Sequence, residues 1–303
     1  LISLDEIRAA RERLGDTVLR TPVVGFDERI RLKLENLQPI GSFKLRGALN
    51  AMRAQPVQDV VTASAGNMAQ GVAWAARELG VRATIVAPET APRAKLDAVE
   101  RLGGRVVPVS HAAWWQAMVE RRYQGADGLF VHPVEDELVM AGNGTIGLEL
   151  CEQLDEFDTV VVPWGGGGLT TGIASAVKAL RPGARVVTAE PASAAPLAAS
   201  LRAGRPVEID YEPSFVDGAG GRALLPTMWE RARGLVDEAV AVPLAEVADA
   251  VRLLASRARV VAEGAGALAL AAALRRDDRC VCIVSGGNVD LAVLARILSG
   301  ERS

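Results

Sequence analysis

Gly165, Gly166, Gly167 and Gly168 follow the apolar run Val161-Val162-Pro163-Trp164, and Leu169 opens a helical pattern. Successive residues without Cβ let backbone N–H groups approach an anion closely. The free N–H groups and dipole of the next helix add to the attraction. That is the chemistry of a phosphate cradle. No Gly-Lys-Ser/Thr ends the turn, so it is not a Walker loop. A second candidate is the amine of Lys44 in Gly41-Ser42-Phe43-Lys44-Leu45-Arg46-Gly47-Ala48. The chain's other lysines are Lys33, Lys95 and Lys178, so amine nucleophiles are few. An amine at the head of an apolar helix is depressed in pKa by burial and becomes fit for Schiff-base chemistry. By itself the pattern also suits an exposed first-turn lysine. Ser64, Ala65, Gly66 and Asn67 form another strand-to-helix corner. Its hydroxyl, amide and helix N–H groups can hold a carboxylate, or can serve as an ordinary helix cap. Ser285-Gly286-Gly287-Asn288 follows the last strand-like run, at the end of a strand where α/β proteins bind ligands.

Other chemistries find no support. His111 and His132 are the only histidines, and neither has a second ligand at metal spacing. No metal site is expected from them, and they read as structural or surface residues. Cys280 and Cys282 share a strand face and should be core. Trp114 and Trp115 should pack rather than stack on a ligand. Gly142–Gly147 matches a dinucleotide fingerprint, but it begins inside a helical pattern rather than after a strand. No G-x-S-x-G elbow occurs.

The 303 residues carry a formal charge of −3 and are half hydrophobic, which suits a large globular protein and not disorder. An acidic balance argues against a nucleic-acid partner. No apolar run is long enough for a membrane span, and the first residues do not resemble a signal peptide. Three cysteines make no disulfide framework, so the expected compartment is the cytoplasm.

The elements that must position these groups alternate. Strands are expected over 31–34, 59–63, 82–87, 105–109, 129–132, 159–162, 185–189 and 280–284. Helices are expected over 44–54, 68–79, 92–102, 112–123, 137–154, 169–180, 245–256 and 265–274. The segment 192–213 is the least regular. Such alternation implies βαβ units with parallel sheets and right-handed crossovers.

Taken in order, the segments 33–48, 62–70, 165–169, Glu190-Pro191, 261–267 and 285–290 resemble the fold type II pyridoxal-phosphate enzymes. The threonine/serine dehydratases (threonine ammonia-lyases) match best, with the serine racemases beside them. The resemblance runs over nearly the whole chain, and its Ser-Phe-Lys-x-Arg-Gly-Ala block is highly specific. It implies an α/β fold of two open, mainly parallel domains, with 57–135 inserted as the smaller and 1–56 plus 136–303 forming the larger. It implies that Lys44 carries pyridoxal 5'-phosphate covalently and that Gly165, Gly166, Gly167, Gly168 and Leu169 hold its phosphate. Phe43 would pack beside the ring, Asn67 would bond its hydroxyl, Ser285 would face the pyridine nitrogen, and Glu263 would lie near the ring. Ser64, as a catalytic residue, would clamp the substrate carboxylate together with Ala65, Gly66 and Asn67.

The implied reaction is β-elimination of water from a β-hydroxy amino acid, threonine or serine first, giving a 2-oxo acid and ammonia. Met68 stands where family members often have His, and Ile40 replaces a small polar residue. These departures keep phenylserine and 3-hydroxyaspartate open as substrates. Ala65 stands where racemases have a second serine, which disfavours two-base racemisation. Pro196 occupies the place of a metal-binding Asp, so a monovalent cation is left open rather than a tightly held divalent one. A homodimer without the regulatory domain of the longer biosynthetic dehydratases is expected. The reading from a different class is a catalytically silent protein that binds a phosphate ligand, against which an intact Lys44 argues.

Overall fold

A computed structural model describes residues 1–300. Its strands are β1 (Val23–Gly25), β2 (Ile30–Leu34), β3 (Asp59–Ala63), β4 (Arg82–Pro88), β5 (Arg105–Val109), β6 (Leu129–Phe130), β7 (Thr159–Pro163), β8 (Arg185–Pro191), β9 (Glu238–Val242) and β10 (Cys280–Val284). Its helices are α1 (Leu4–Leu14), α2 (Lys44–Arg53), α3 (Asn67–Leu79), α4 (Arg93–Arg101), α5 (His111–Glu120), α6 (Glu137–Gln153), α7 (Gly168–Leu180), α8 (Pro196–Ala203), α9 (Pro226–Leu235), α10 (Leu244–Leu253), α11 (Gly264–Ala273) and α12 (Leu291–Ser299).

The strands form two sheets. One has the order β1-β2-β10-β7-β8-β9 and the other β5-β4-β3-β6. All pairings are parallel except β1 with β2. Parallel strands need helices on both faces, and the sequences comply: every residue of β7 (TVVVP) and β10 (CVCIV) is buried. Helix α11 is buried along its whole length, and its Gly/Ala composition lets it lie close to the sheet. The strands of the four-stranded sheet all lie within 59–130. Its helical face is not self-contained, because Leu45, Leu49 and Met52 of α2 and Val139 of α6 share one apolar cluster with Val60, Val72 and Ile85.

Glycines allow two close approaches beneath the site. A Cβ on Gly71 of α3 would stand 3.1 Å from the main-chain carbonyl of Lys44. A Cβ on Gly142 would stand 2.5 Å from the Arg46 carbonyl. Gly142–Gly147 therefore serves helix packing inside α6 and not a dinucleotide.

Several elements escape the sequence. Helices α1, α8, α9 and α12 and strands β1 and β9 are additions to the expected set. Helix α8 lies within the stretch read as least regular. Among the described residues, no helix is long and apolar enough to cross a membrane.

Candidate functional site

Strands β2, β10 and β7 are adjacent and parallel, so their carboxyl ends open on one edge. The Lys44 segment follows β2, the Ser285 segment follows β10, and the four glycines follow β7. The corner after β3 reaches the same region from the other sheet: Asn67 donates to Glu263 Oε1 at 2.8 Å. Four sequence-distant segments thus meet where α/β sheets bind ligands.

The glycine turn has the features of an anion cradle. Gly167 has φ +92°, a left-handed conformation that favours glycine. A Cβ on Gly166 would fall 2.4 Å from Val134, and one on Gly167 would fall 2.4 Å from the indole of Trp164. No side chain caps α7, and the Thr171 amide turns back to the Gly167 carbonyl. The first-turn N–H groups of Gly168, Leu169 and Thr170 thus lack an intrahelical acceptor. Thr170 Oγ1 is buried there without a partner among the described residues.

Lys44 opens α2, and its neighbour Phe43 donates its amide to the Ser285 carbonyl at 3.1 Å. The amine sits 5.1 Å from the centre of the Phe43 ring. Desolvation lowers its pKa to about 8, even though the Glu263 carboxylate pulls the other way. Glu263 is itself raised to about 7, chiefly by burial and then by Asp217. Its amide bonds the Gly286 carbonyl at 3.1 Å, which fixes the residue to the β10 loop.

Asn67 is held from two sides. Its Nδ2 donates to Glu263, and its Oδ1 accepts from Asn288 Nδ2 at 2.8 Å. Asn288 also donates to the Ile40 carbonyl at 2.8 Å. A Cβ on Gly41, whose φ is +70°, would meet Asn288 Oδ1 at 2.6 Å. Asn288 therefore ties the loop before Lys44 to the head of α3. Sequence reasoning places Asn288 within the Ser285 segment but gives it no role, because its partners lie far away along the chain.

At the β3 corner, Ser64, Ala65, Gly66 and Asn67 are half-buried. The Ser64 hydroxyl accepts the Gly66 amide at 3.3 Å, and no side chain caps α3. The first amides of that helix are again free for an acid. Ser285 is buried beside the junction.

Three expectations need correction. Met68 and Ile40 do not border the substrate space: both are buried in the apolar cluster with Leu45 and Val72. Successive helical residues are about 100° apart, so with Asn67 facing the site Met68 turns inward. Trp114 packs in the core near Phe130, but Trp115 is 49% exposed and lines a cavity beside Gly165.

In the Glu190-Pro191 segment, both oxygens of Glu190 accept amides, from Leu197 at 3.0 Å and Ala198 at 2.8 Å. Burial lifts that carboxyl to about 7. Cys280 and Cys282 are buried on β10.

A buried ionic cluster braces α2. The Arg46 guanidinium bonds Glu35 at 2.8 Å and Glu149 at 2.6 Å, and Lys33 pairs with Glu149 and the Thr21 carbonyl. This cluster fixes the turn of helix that carries Lys44 to β2 and α6.

A low-pKa amine and a free-amide anion cradle, with donors between them, fit pyridoxal phosphate. The comparisons agree. The model of the family described as "Pyridoxal-phosphate dependent enzyme" matches residues 15–286. The L-threonine ammonia-lyase of Thermotoga maritima is 40% identical, over 99% of this chain and 79% of its own. The solved threonine deaminase of T.th. is 36% identical with TM-score 0.84, covering 95% of this chain and 99% of its own. The solved maize serine racemase is 34% identical with TM-score 0.87, covering 98% of this chain and 97% of its own. With its site geometry and this breadth of match, the chain belongs to the pyridoxal-phosphate dependent enzymes of fold type II.

Proposed function

We propose that this protein is a threonine/serine ammonia-lyase that converts a β-hydroxy amino acid to a 2-oxo acid and ammonia. The observation that carries the reading is the Lys44 amine, lowered to about 8 and set among Phe43, Glu263 and the Ser285 segment. Bound pyridoxal phosphate supplies an electron sink for the substrate's Cα. The protein's part is placement and proton handling. The amides of Gly165–Leu169 would hold the phosphate, and Asn67, kept in one orientation by Glu263 and Asn288, would meet the ring hydroxyl. Ser285 would face the ring nitrogen with a hydroxyl, which cannot protonate it as a carboxylic acid could. Phe43 packs beside the ring.

The amides at the head of α3, with Ser64, Ala65, Gly66 and Asn67, hold the substrate carboxylate. That leaves the Cα–H bond directed at the Lys44 Nζ, a base that is substantially neutral near pH 8. The β-hydroxyl leaves as water, and water returned to the product releases ammonia, so the reaction is redox-neutral. Closure of the 57–135 lobe would exclude water from the crevice.

The reading includes a homodimer in the cytoplasm, and light scattering tests the assembly. The function is tested by 2-oxo acid formation from L- and D-threonine and serine, with an absorbance band near the visible edge. The reading requires both signals in the wild type and loss of both in Lys44→Ala. A racemase is the further alternative, on the likeness to the maize enzyme. Ala65 offers no hydroxyl as an opposite-face base, so ammonia release should outrun inversion.

A further inference from the structure

Gly165 and Gly166 also form one wall of a cavity of about 330 Å3. The facing wall comes from α5, with Trp115, Met118 and Val119, and the floor includes Leu224 and Met228. Trp115 and Val119 are exposed at its rim, at 49% and 65%. The cavity therefore joins the phosphate cradle to a mouth between the two sheets' helices and loops. This position suits the β-substituent of a substrate whose Cα lies near Lys44.

The polar groups in the lining carry no free charge. His132 Nδ1 accepts the amides of Val134 at 3.1 Å and Glu135 at 2.9 Å. Burial, then Arg121, lowers its pKa to about 4, so the imidazole is neutral at physiological pH, and Lys44 is close enough to contribute to the shift. The Glu135 carboxylate is taken up by Arg121 and the Thr227 hydroxyl. No lysine or arginine lines the cavity among the described residues. A β-carboxylate would enter without a counter-ion, which is costly in an apolar wall. A hydrogen or methyl group would leave the apolar wall of Trp115, Met118 and Val119 uncovered.

We propose that this cavity selects β-hydroxy amino acids whose β-substituent is apolar and larger than methyl, with an aryl group as its best occupant. The inference rests on the lyase reading above and names its substrate class. Trp115 is the specificity-determining wall.

The test is a ratio between substrates on one holoenzyme, which cancels changes in folding or cofactor content. L-Phenylserine should exceed L-serine in kcat/KM by about tenfold or more, the effect expected for burying an aryl group, and L-3-hydroxyaspartate should be the poorest. L-Phenylalanine has no leaving group and should inhibit competitively, about tenfold more tightly than L-alanine. Trp115→Ala should lower the phenylserine-to-serine ratio about tenfold, while Trp115→Phe keeps it. Ala223→Phe, at an exposed lining position, should fill the space and lower the same ratio. Oxo-acid formation from serine and threonine but not phenylserine would overturn the inference and leave the lyase reading intact. So would equal losses for both substrates in Trp115→Ala. A chain that binds pyridoxal phosphate yet acts on none of these amino acids would end both.

Discussion

Lys33 is buried and Lys44 half-buried; burial lowers the pKa of both, but their partners differ. Lys33 meets a carboxylate, a carbonyl and a side-chain amide oxygen, with Glu149, Thr21 and Gln153 as partners. Its charge is paired, and the amine has no spare direction. Lys44 lies near a carboxylate but has an aromatic ring, not an oxygen, as its close contact. Its pKa falls to about 8 because the environment removes water and returns little. A lysine becomes useful for covalent chemistry when desolvation is left largely uncompensated. The compensated lysine supports the same helix from below.

The largest effect should come from removing the uncompensated amine. Lys44→Ala should lower turnover by about a thousandfold or more and abolish the cofactor band, with little change in the urea midpoint. A large loss of stability with retained turnover would reverse the two assignments. The complementary break is Glu149→Ala, which leaves Lys33 and Arg46 buried without a shared partner. It should cost about 3–5 kcal/mol in urea unfolding. Specific activity of the folded fraction should change far less than in Lys44→Ala, and an unchanged midpoint would show the cluster to be idle.

A pH series sharpens the contrast. Lys44 in the folded protein is depressed from 10.5 to about 8, so its protonated form dominates below that value and its neutral form above it. The rate at which apoprotein takes up pyridoxal phosphate should rise through about pH 8 and then level off. A rate still climbing steeply at about pH 10 would mean an ordinary solvated lysine.

The smallest effect is expected at the tether. Asn288→Ala removes both of its donated bonds and frees Asn67 to rotate. A loss of about tenfold in kcat/KM, with weaker cofactor retention, is expected. Asn288→Asp keeps the volume but cannot donate, so it should resemble the alanine variant. Recovery of wild-type behaviour in Asn288→Asp would show that volume alone matters.

Local chemistry makes part of this site readable in the chain alone. The Lys44 block, which by itself also suits an exposed lysine, stands out through its resemblance to the fold type II family, whereas the four glycines stand out because they are contiguous in one strand-to-helix turn. The alternation of strands and helices points to parallel sheets for the same reason. The Asn67–Asn288 and Asn67–Glu263 bonds cannot be read that way, since they join residues 221 and 196 positions apart. Met68 is misplaced by one step of helical phase: the corner is legible in the sequence, but the side of α3 that faces the crevice is not. Trp115 is misassigned because Trp114 beside it does pack, and an adjacent helical residue points elsewhere. Strand β9 (EAVAV) is only half-buried over its first four residues, and α12 hides behind the glycines of the Ser285 loop.

The missing side chain of Gly71 brings the backbone of α3 against the carbonyl of Lys44. A swing of the proposed 57–135 unit on that contact would be transmitted to the main chain of Lys44 without an intervening side chain to absorb it. In that proposed arrangement lobe motion and amine placement would share a pivot. Thermal loosening there should silence turnover while helices and strands are still intact.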